Sequence, residues 1–229
     1  HVQDPFSPAD RHRFAQGTQS PRDNWLRLVS EWTSTDRSPS RLSRDALREF
    51  DRVEMGLGAL TLATAIESAL AKYSDWSQSH SIGNISFPPI KISSDLGPIW
   101  VCGAGRDSIP LGNALVLDIG GNDDYLSTDD PLDPSSRPVQ LIIDLSGNDH
   151  YEDKGGFQLA CGLVGISALV DLGGADEYLC PVAGFASGVL GCGWVEDVSG
   201  NDTVRVGGQL GAGAGVTGLG CYVDRGGAD

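Results

Sequence analysis

The chain has few basic side chains and no long uninterrupted apolar run. Its 229 residues include 16 Lys and Arg against 31 Asp and Glu, for a net charge of −15 and a pI near 4.4. Phosphate binding needs a concentrated basic surface, so this composition argues against a nucleic-acid partner. The longest apolar stretch, around residues 55–66, is shorter than the roughly 20 residues of a membrane span, so no transmembrane segment is expected.

Signatures of common catalytic sites are also missing. The four His residues form no His-Glu-x-x-His zinc motif, and there is no Gly-x-Ser-x-Gly elbow or phosphate-binding loop. The five Cys residues form no Cys-x-x-Cys pair and share no position of the repeat described below. Most are therefore expected to be free thiols, with a bridge between Cys161 and Cys180 left open. His150 stands at a variable position of the repeat and is expected at the surface.

Composition changes sharply near residue 96. Residues 1–96 hold 12 acidic and 11 basic side chains and 4 glycines, whereas residues 97–229 hold 19 acidic and 5 basic side chains and 27 glycines. This predicts an extended or flexible segment over 1–22, a helical capping region over 23–78, a connector over 79–96, and an acidic glycine-rich module over 97–229. Because that module ends inside a motif, it is expected to continue beyond residue 229.

The segment before the acidic module has helical periodicity. Asn24 can cap a short helix whose Trp25, Leu28, Val29 and Trp32 share one face. A longer helix is expected to begin after Ser43. Its apolar face would comprise Leu47, Phe50, Val53, Leu57, Leu60, Ile66, Leu70 and Tyr73.

An internal repeat dominates the acidic module. The segment Asp118-Ile-Gly-Gly-Asn-Asp123-Asp-Tyr125 returns from Asp144, Asp171 and Asp197, and a partial fifth copy begins at Asp224, at spacings of 26, 27, 26 and 27 residues. A degenerate forerunner runs from Cys102 to Ile109. This period, with short β-branched runs and glycine corners, predicts a mainly β fold, a parallel β-solenoid with one coil per repeat.

Equivalent positions should stack as columns along the solenoid. The tyrosines form an aromatic row that continues into an apolar residue: Tyr125, Tyr151, Tyr178 and Val204. A second row, expected to point inward, contains Ile119, Leu145, Leu172 and Val198. A third row precedes each first Asp: Val116, Ile142, Leu169, Val195 and Tyr222. A further apolar row lies one residue later than the third, and it is either covered by another layer or exposed as an interface. The invariant Gly of the motif is expected to adopt positive φ.

Two columns of Asp run along the solenoid, and stacked like charges about 5 Å apart repel one another. The side chains either cap the corners by accepting backbone N–H groups or bind cations, and Ca²⁺ suits oxygen ligands best. The candidate calcium ligands are Asp118, Asp123, Asp144, Asp149, Asp171, Asp176, Asp197 and Asp202.

The half-motif Gly121-Asn-Asp123-Asp-Tyr125 and its copies resemble the Gly-x-Asp-x-apolar half of repeat-in-toxin calcium β-rolls. The resemblance implies that Asp123, Asp149, Asp176 and Asp202 bind calcium. Those β-rolls, however, repeat every nine residues and open with Gly-Gly. The longer period is more similar to that of uncharacterised secreted bacterial proteins with Asp-x-Gly-Gly-Asn-Asp-x-Tyr coils, and that similarity implies no activity.

These features predict a non-enzymatic structural or adhesive protein, extracellular, at the cell surface or periplasmic, with calcium stiffening its coils. It would bind a protein partner, assemble with itself through the last coil, or contact cell-surface polysaccharide. The helical region is expected to cover the first coil near Trp100. The alternative is a polysaccharide lyase or hydrolase, with the insertion from Ser127 to Pro138 as the wall of its groove.

Overall fold

The computed structural model describes residues 50–80, 85–127, 138–208 and 210–228. The predictions for residues 1–49, which include the short helix after Asn24, lie outside these residues, as does nearly all of the insertion between Ser127 and Pro138. The described part contains one helix, α1 (Arg52–Ser77), and fifteen strands. The strands are β1 (Ile90–Ser94), β2 (Gly97–Cys102), β3 (Ser108–Pro110), β4 (Leu115–Asp118), β5 (Asp124–Leu126), β6 (Val139–Asp144), β7 (His150–Glu152), β8 (Gly162–Leu163), β9 (Ile166–Asp171), β10 (Glu177–Cys180), β11 (Gly188–Val189), β12 (Cys192–Asp197), β13 (Thr203–Val206), β14 (Gly215–Val216) and β15 (Leu219–Asp224).

The strands form the predicted solenoid. One sheet has the order β1-β2-β4-β6-β9-β12-β15, a second the order β13-β10-β7-β5-β3, and a third the order β14-β11-β8. All pairings are parallel except that of β1, which lies in the predicted connector and pairs antiparallel with β2. Successive coils therefore add strands to the same sheets, with all three sheets represented in the coils that begin with β6, β9 and β12, and the mainly β, parallel-solenoid prediction is confirmed.

The register confirms the repeat. Asp118 pairs with Asp144, Asp144 with Asp171, and Asp171 with Asp197, so equivalent residues stack from coil to coil. The rings of Tyr125, Tyr151 and Tyr178 stack with centroid separations of 4.5 and 4.9 Å. All three rings are fully buried and form the interior together with the row that contains Val116.

Helix α1 lies on the side of the solenoid, not on its first coil. It contacts β9 and β12, and its Ile66 packs with Ala168 and Val170 on the outer face of the seven-stranded sheet. The expectation that the helical region covers the first coil near Trp100 is therefore wrong for α1, and residues 23–49 of that region lie outside the described residues. Ala168 and Val170 flank Leu169 of the third row and lie on the opposite face of β9, so the apolar row beside the third is covered by another layer at this strand. The two apolar faces of the strands explain the arrangement, since the interior can take only one of them.

The start and the buried face of α1 also differ from the prediction. The helix begins at Arg52 because the Asp51 carboxylate accepts the backbone N–H groups of Val53 and Glu54 at 2.9 and 3.1 Å. Met55, Gly58 and Ile66 are buried, whereas Val53, Leu57 and Leu60 are exposed. The helix has apolar residues on both sides, so its periodicity did not identify the face that packs.

By length and composition, the 26-residue α1 satisfies the criterion for a membrane-spanning helix. A few charged side chains interrupt the apolar residues of α1, so the helix is apolar on average although it contains no uninterrupted apolar run of this length. One such helix is weak evidence for a membrane protein, because core helices of soluble proteins and signal sequences satisfy the same criterion.

The row that contains Ile119 does not point inward as expected. Ile119, Leu145, Leu172 and Val198 are half-buried, while the Asp one position earlier in each copy is fully buried. Side chains alternate along a strand, so the inward direction of Val116 also turns Asp118 inward and Ile119 outward. The solenoid therefore encloses its first column of carboxylates.

Close approach, and not positive φ, explains most of the invariant glycines. Gly121 has φ +151°, but Gly147, Gly174 and Gly200 lie outside the positive-φ group, so that expectation is wrong for these three. A Cβ atom on Gly147 would overlap the carbonyl oxygen of Gly121 and the carboxylate of Asp149. Glycine is required here because one backbone passes directly over the next.

Candidate metal centre

The first aspartate of each of the four full repeats ends a strand of the large sheet and is fully buried. The Oδ1 atoms of Asp118, Asp144 and Asp171 accept backbone N–H groups two residues later, at 3.0, 3.0 and 2.9 Å. This is the Asx-turn geometry expected of corner-capping residues. Capping therefore accounts for one oxygen atom of each of these carboxylates.

The second aspartates join neighbouring coils. The backbone N–H groups of Asp123, Asp149 and Asp176 donate to Oδ1 of the equivalent Asp one coil later, at 2.6, 2.7 and 2.8 Å. The acceptors are Asp149, Asp176 and Asp202, and the N–H group of Asp107 donates in the same way to Asp123 at 2.5 Å. These side chains are 1–4% exposed, so the bonds form a continuous ladder inside the corner.

The stacked tyrosines supply hydroxyl donors to the first column. The Tyr151 hydroxyl donates to Oδ2 of Asp171 at 2.7 Å, and that of Tyr178 donates to Oδ2 of Asp197 at 2.6 Å. Tyr125 lies 2.5 Å from Oδ2 of Asp144 and 3.1 Å from Oδ2 of Asp118. A phenol has a single hydrogen and cannot donate it to both carboxylates. The column is therefore short of donors at its first full coil.

Several buried carboxylate oxygens have no hydrogen-bond partner among the described residues. They include Oδ2 of Asp123, Asp149 and Asp176 in the second column, Oδ1 of Asp197 in the first, and Oδ2 of Asp107. A buried carboxylate oxygen without a partner is costly, since desolvation strongly disfavours the charge. A proton or a cation would satisfy these oxygens.

The structure brings all eight predicted residues together in three groups. Within each group, one oxygen atom from each carboxylate lies within 4.8 Å of the others. The groups are Asp118–Asp123–Asp144, Asp144–Asp149–Asp171 and Asp176–Asp197–Asp202. Groups of three buried carboxylates at these separations are compatible with metal binding.

Burial raises the pKa of these carboxyl groups well above the ordinary value, and neighbouring carboxylates raise it further. The pKa is about 7 for Asp123, Asp149 and Asp197 and about 8 for Asp176. It is about 6 for Asp171, where the Tyr151 hydroxyl partly offsets the burial. Near neutral pH these buried carboxyl groups are therefore partly protonated and partly ionised, and the ionised ones favour a positively charged partner.

Basic side chains of the solenoid pair with acids on the outer surface. Arg106 contacts Asp124 at 2.9 Å, Lys154 contacts Glu152 at 2.8 Å, and Arg205 contacts Glu177 at 2.5 Å. His150 lies in the same surface layer, half-buried and 3.2 Å from Glu177, consistent with its expected surface position. These ion pairs neutralise acidic side chains on the outer surface. They do not neutralise the enclosed Asp columns, whose charge protons or cations would have to offset.

Sequence reasoning missed three kinds of residue in this site. Asp107 occupies the second-aspartate position of the degenerate forerunner, and its N–H group begins the ladder. The tyrosines were predicted only as a stacked row, although their hydroxyls bind the carboxylates. Cys102 pairs in register with Asp118 and so stands where later coils have their first Asp. The forerunner motif was the signal for Asp107 and Cys102.

The five cysteines are free thiols, as expected, and no bridge joins Cys161 to Cys180. Four are buried and Cys221 is exposed. Burial raises the pKa of the Cys102 thiol to about 12, and the neighbouring Asp118 adds to this effect. Cys102 is therefore a neutral thiol, and the first column of charge ends there.

Comparison with protein-family models, curated proteins and solved structures finds no match to this chain.

Proposed function

We propose that this protein is a non-enzymatic structural scaffold whose solenoid is stabilised by calcium. The calcium would be bound in the enclosed aspartate corner, the part of each coil that holds the first and second aspartates of the motif. The unpartnered buried Oδ2 atoms of Asp123, Asp149 and Asp176 carry the proposal. They lie in repeating groups of carboxylates, and oxygen-only groups of this kind suit hard divalent cations. Each bound cation would offset the mutual repulsion of the stacked charges and fix neighbouring coils to one another.

Calcium is favoured over magnesium by the character of the site. Mg²⁺ demands near-ideal octahedral geometry and retains several water molecules, whereas Ca²⁺ accepts carboxylates in flexible arrangements. The carboxylates here are almost fully buried and held by backbone N–H groups and tyrosine hydroxyls. Calcium of millimolar concentration is found outside the cytoplasm, so the proposal includes an extracellular, cell-surface or periplasmic location.

The test is a thermal melt followed by circular dichroism at pH 8, in EDTA, in CaCl₂ and in MgCl₂. At this pH the carboxyl groups with pKa near 7 are largely ionised, so protons no longer satisfy them. Saturating Ca²⁺ should raise the Tm by about 5–10 °C, and Mg²⁺ should raise it much less. Equal melting temperatures in EDTA and CaCl₂ would refute calcium binding and leave protonation as the explanation.

A matched pair of variants sharpens this test. Asp149→Asn removes one charge from the group that contains Asp144 and Asp171, while its side-chain oxygen can still accept the N–H group of Asp123. It should raise the Tm in EDTA at pH 8 and reduce the calcium-induced rise by at least half. Asp95→Asn, in the exposed turn between β1 and β2, should change neither value. An unreduced calcium effect in Asp149→Asn would place the ion elsewhere.

The scaffold role is favoured over the polysaccharide lyase or hydrolase by the position of the acids. The repeated carboxylates lie inside the coil, where a polymer chain cannot reach them. A catalytic pair also needs two carboxyl groups in contrasting environments, while these environments repeat from coil to coil. Incubation with neutral and acidic polysaccharides in CaCl₂ should release no new reducing ends or unsaturated products. Sustained product release would overturn the scaffold proposal independently of calcium binding.

As a scaffold the protein would bind a protein partner, contact cell-surface polysaccharide or assemble with itself. Among the described residues β15 is the outermost strand of the seven-stranded sheet and pairs in register with β12, so it is the candidate edge for self-assembly. Sedimentation velocity over a hundredfold range of concentration would detect self-assembly. A monomer throughout that range would restrict the proposal to other partners.

A further inference from the structure

Helix α1 has an outward face, directed away from the solenoid, that begins with large apolar side chains. Val53, Leu57 and Leu60 are 69%, 50% and 64% exposed, and their spacing of four and three residues places them on one side of the helix. The opposite side packs on the solenoid through Met55 and Ile66. Three neighbouring exposed side chains of this size form an apolar patch of the kind that marks an interaction surface.

The same face continues with small side chains in the second half of α1. Thr64, Ser68 and Ala71 follow Leu60 at spacings of four, four and three residues, and all three are exposed. The Thr64 hydroxyl donates to the carbonyl oxygen of Leu60 at 2.9 Å, and that of Thr61 is bonded within the helix in the same way. Because both hydroxyls are already bonded, another apolar surface could cover them without leaving a donor unsatisfied.

A face that is large at one end and small at the other is complementary to itself when turned around. We propose that the outward face of α1 binds a second copy of this chain through an antiparallel pairing of the two helices. With the two-fold axis near Thr64, Leu57 of each copy would lie opposite Ala71 of the other. In the same way Leu60 would lie opposite Ser68. Large side chains that interdigitate with small ones allow two helices to pack closely.

Charges beside this face favour a second copy as the occupant and fix its direction. Glu54 and Lys72 are eighteen residues apart, which is about five helical turns, so they lie on the same flank of α1. Neither forms an ion pair with a residue that the structure describes. In an antiparallel pair the equivalent flanks meet, so Glu54 of each copy would lie beside Lys72 of the other. A parallel pair would instead bring Glu54 against Glu54.

This pairing goes beyond the calcium-stabilised scaffold and does not depend on it. A two-fold interface is closed, because each copy uses the same surface. Pairing through β15 would leave an edge free for the next copy and would continue from molecule to molecule. The α1 interface therefore predicts a dimer and no larger species, with the two solenoids on opposite sides of the helix pair.

Sedimentation velocity of the full chain, in EDTA and in CaCl₂, tests the pairing. The wild type should convert from monomer to dimer between about 1 and 200 μM, as expected for a modest interface, and at the same concentration in both buffers. Leu57→Glu should weaken the dimer at least tenfold. Leu219→Glu is the matched control, because it makes the same change at a similarly exposed side chain on β15, and it should leave the dimer unchanged.

Charge-reversed variants keep the test decisive if Leu57→Glu disturbs α1. Glu54→Lys and Lys72→Glu, each alone, would place like charges at both contacts and should weaken the dimer about tenfold. An equimolar mixture of the two variants should dimerise as tightly as the wild type, since opposite charges then meet again across the interface. A change that merely damaged the fold of each variant could not be repaired by mixing.

Three results would overturn the proposal. The first is a monomer at every concentration, or a mixture of the charge-reversed variants that does not recover. The second is a series of species larger than a dimer that disappears in Leu219→Glu, which would place self-assembly at β15. The third is a monomeric wild type that floats with lipid vesicles while Leu57→Glu does not, which would assign the face to a membrane surface.

Discussion

Removal of a single hydroxyl from the tyrosine stack should weaken the solenoid in a pH-dependent way. The Tyr151 hydroxyl donates to Oδ2 of Asp171 at 2.7 Å, and both groups are buried. In Tyr151→Phe the ring remains to stack between Tyr125 and Tyr178, at 4.5 and 4.9 Å, so the packing of the column is preserved. The variant therefore isolates the hydrogen bond from the aromatic contact.

The magnitude follows from the charge of the acceptor. A hydrogen bond to an ionised group contributes about 1.5–3 kcal/mol, against about 1 kcal/mol for a neutral pair. Asp171 has a pKa of about 6, a value that the Tyr151 hydroxyl helps to lower. At pH 8 the carboxylate is ionised, and the variant should lose about 2 kcal/mol of unfolding free energy. At pH 4.5 the carboxyl group is protonated, and the loss should be about half as large.

The assay is urea denaturation in EDTA at both pH values, with equal slopes required for the comparison. Tyr73→Phe on α1 is the control, because Tyr73 is only half-buried and lies outside the aspartate corner; its loss should stay below about 0.5 kcal/mol at either pH. Equal losses at pH 8 and pH 4.5 would refute the assignment of the hydroxyl as donor to an ionised Asp171.

Three further perturbations test other parts of the structure. In EDTA the wild-type Tm should fall as the pH rises from 5 to 8. Carboxyl groups with a folded pKa near 7 and an unfolded pKa near 3.9 keep their protons only in the folded state, so each lowers the free energy of unfolding by up to about 1.4 kcal/mol per pH unit until its folded pKa is passed. A Tm that rises over this range would contradict the raised pKa values. Gly147→Ala should lower the free energy of unfolding, measured in urea, by several kcal/mol because the added Cβ overlaps a backbone carbonyl. Gly56→Ala, with open space around it, should be neutral or stabilising by up to about 1 kcal/mol. Similar losses for both variants would refute the close-approach argument. Val170→Asp should destabilise by more than about 2 kcal/mol by burying a charge under α1, and a loss below 0.5 kcal/mol would show that the helix does not cover this row.

The sequence predicted the periodic features of this fold well. The spacing of the first aspartates predicted the coils, and the strand pairing of Asp118, Asp144, Asp171 and Asp197 follows it residue by residue. The columns could be predicted because each repeat contains the same corner motif, strand and tyrosine at the same spacing. The tyrosine row and the stacked glycines followed for the same reason.

The direction of the side chains could not be predicted from the same pattern. Val116 and Leu117 are both apolar, so alternation did not identify which of them points inward, and the prediction for Ile119 followed the wrong choice. Charged side chains are almost never fully buried without a partner, so the complete burial of the first aspartates did not follow from the pattern. The position of α1 depended on the same choice, because the helix covers whichever row the interior excludes.

The aspartate corner has a physical consequence for the register of the coils that an apolar corner would lack. Each second aspartate accepts an N–H group from the preceding coil, and each first aspartate meets a tyrosine hydroxyl. A slip of one residue in any strand would turn its carboxylate outward and leave a buried N–H group and a hydroxyl without acceptors. Apolar columns tolerate such slips more easily, since one methyl group packs much like another. The repeats alternate between 26 and 27 residues, yet the first aspartates pair in register at every step, so the extra residue lies outside the paired strands of the large sheet.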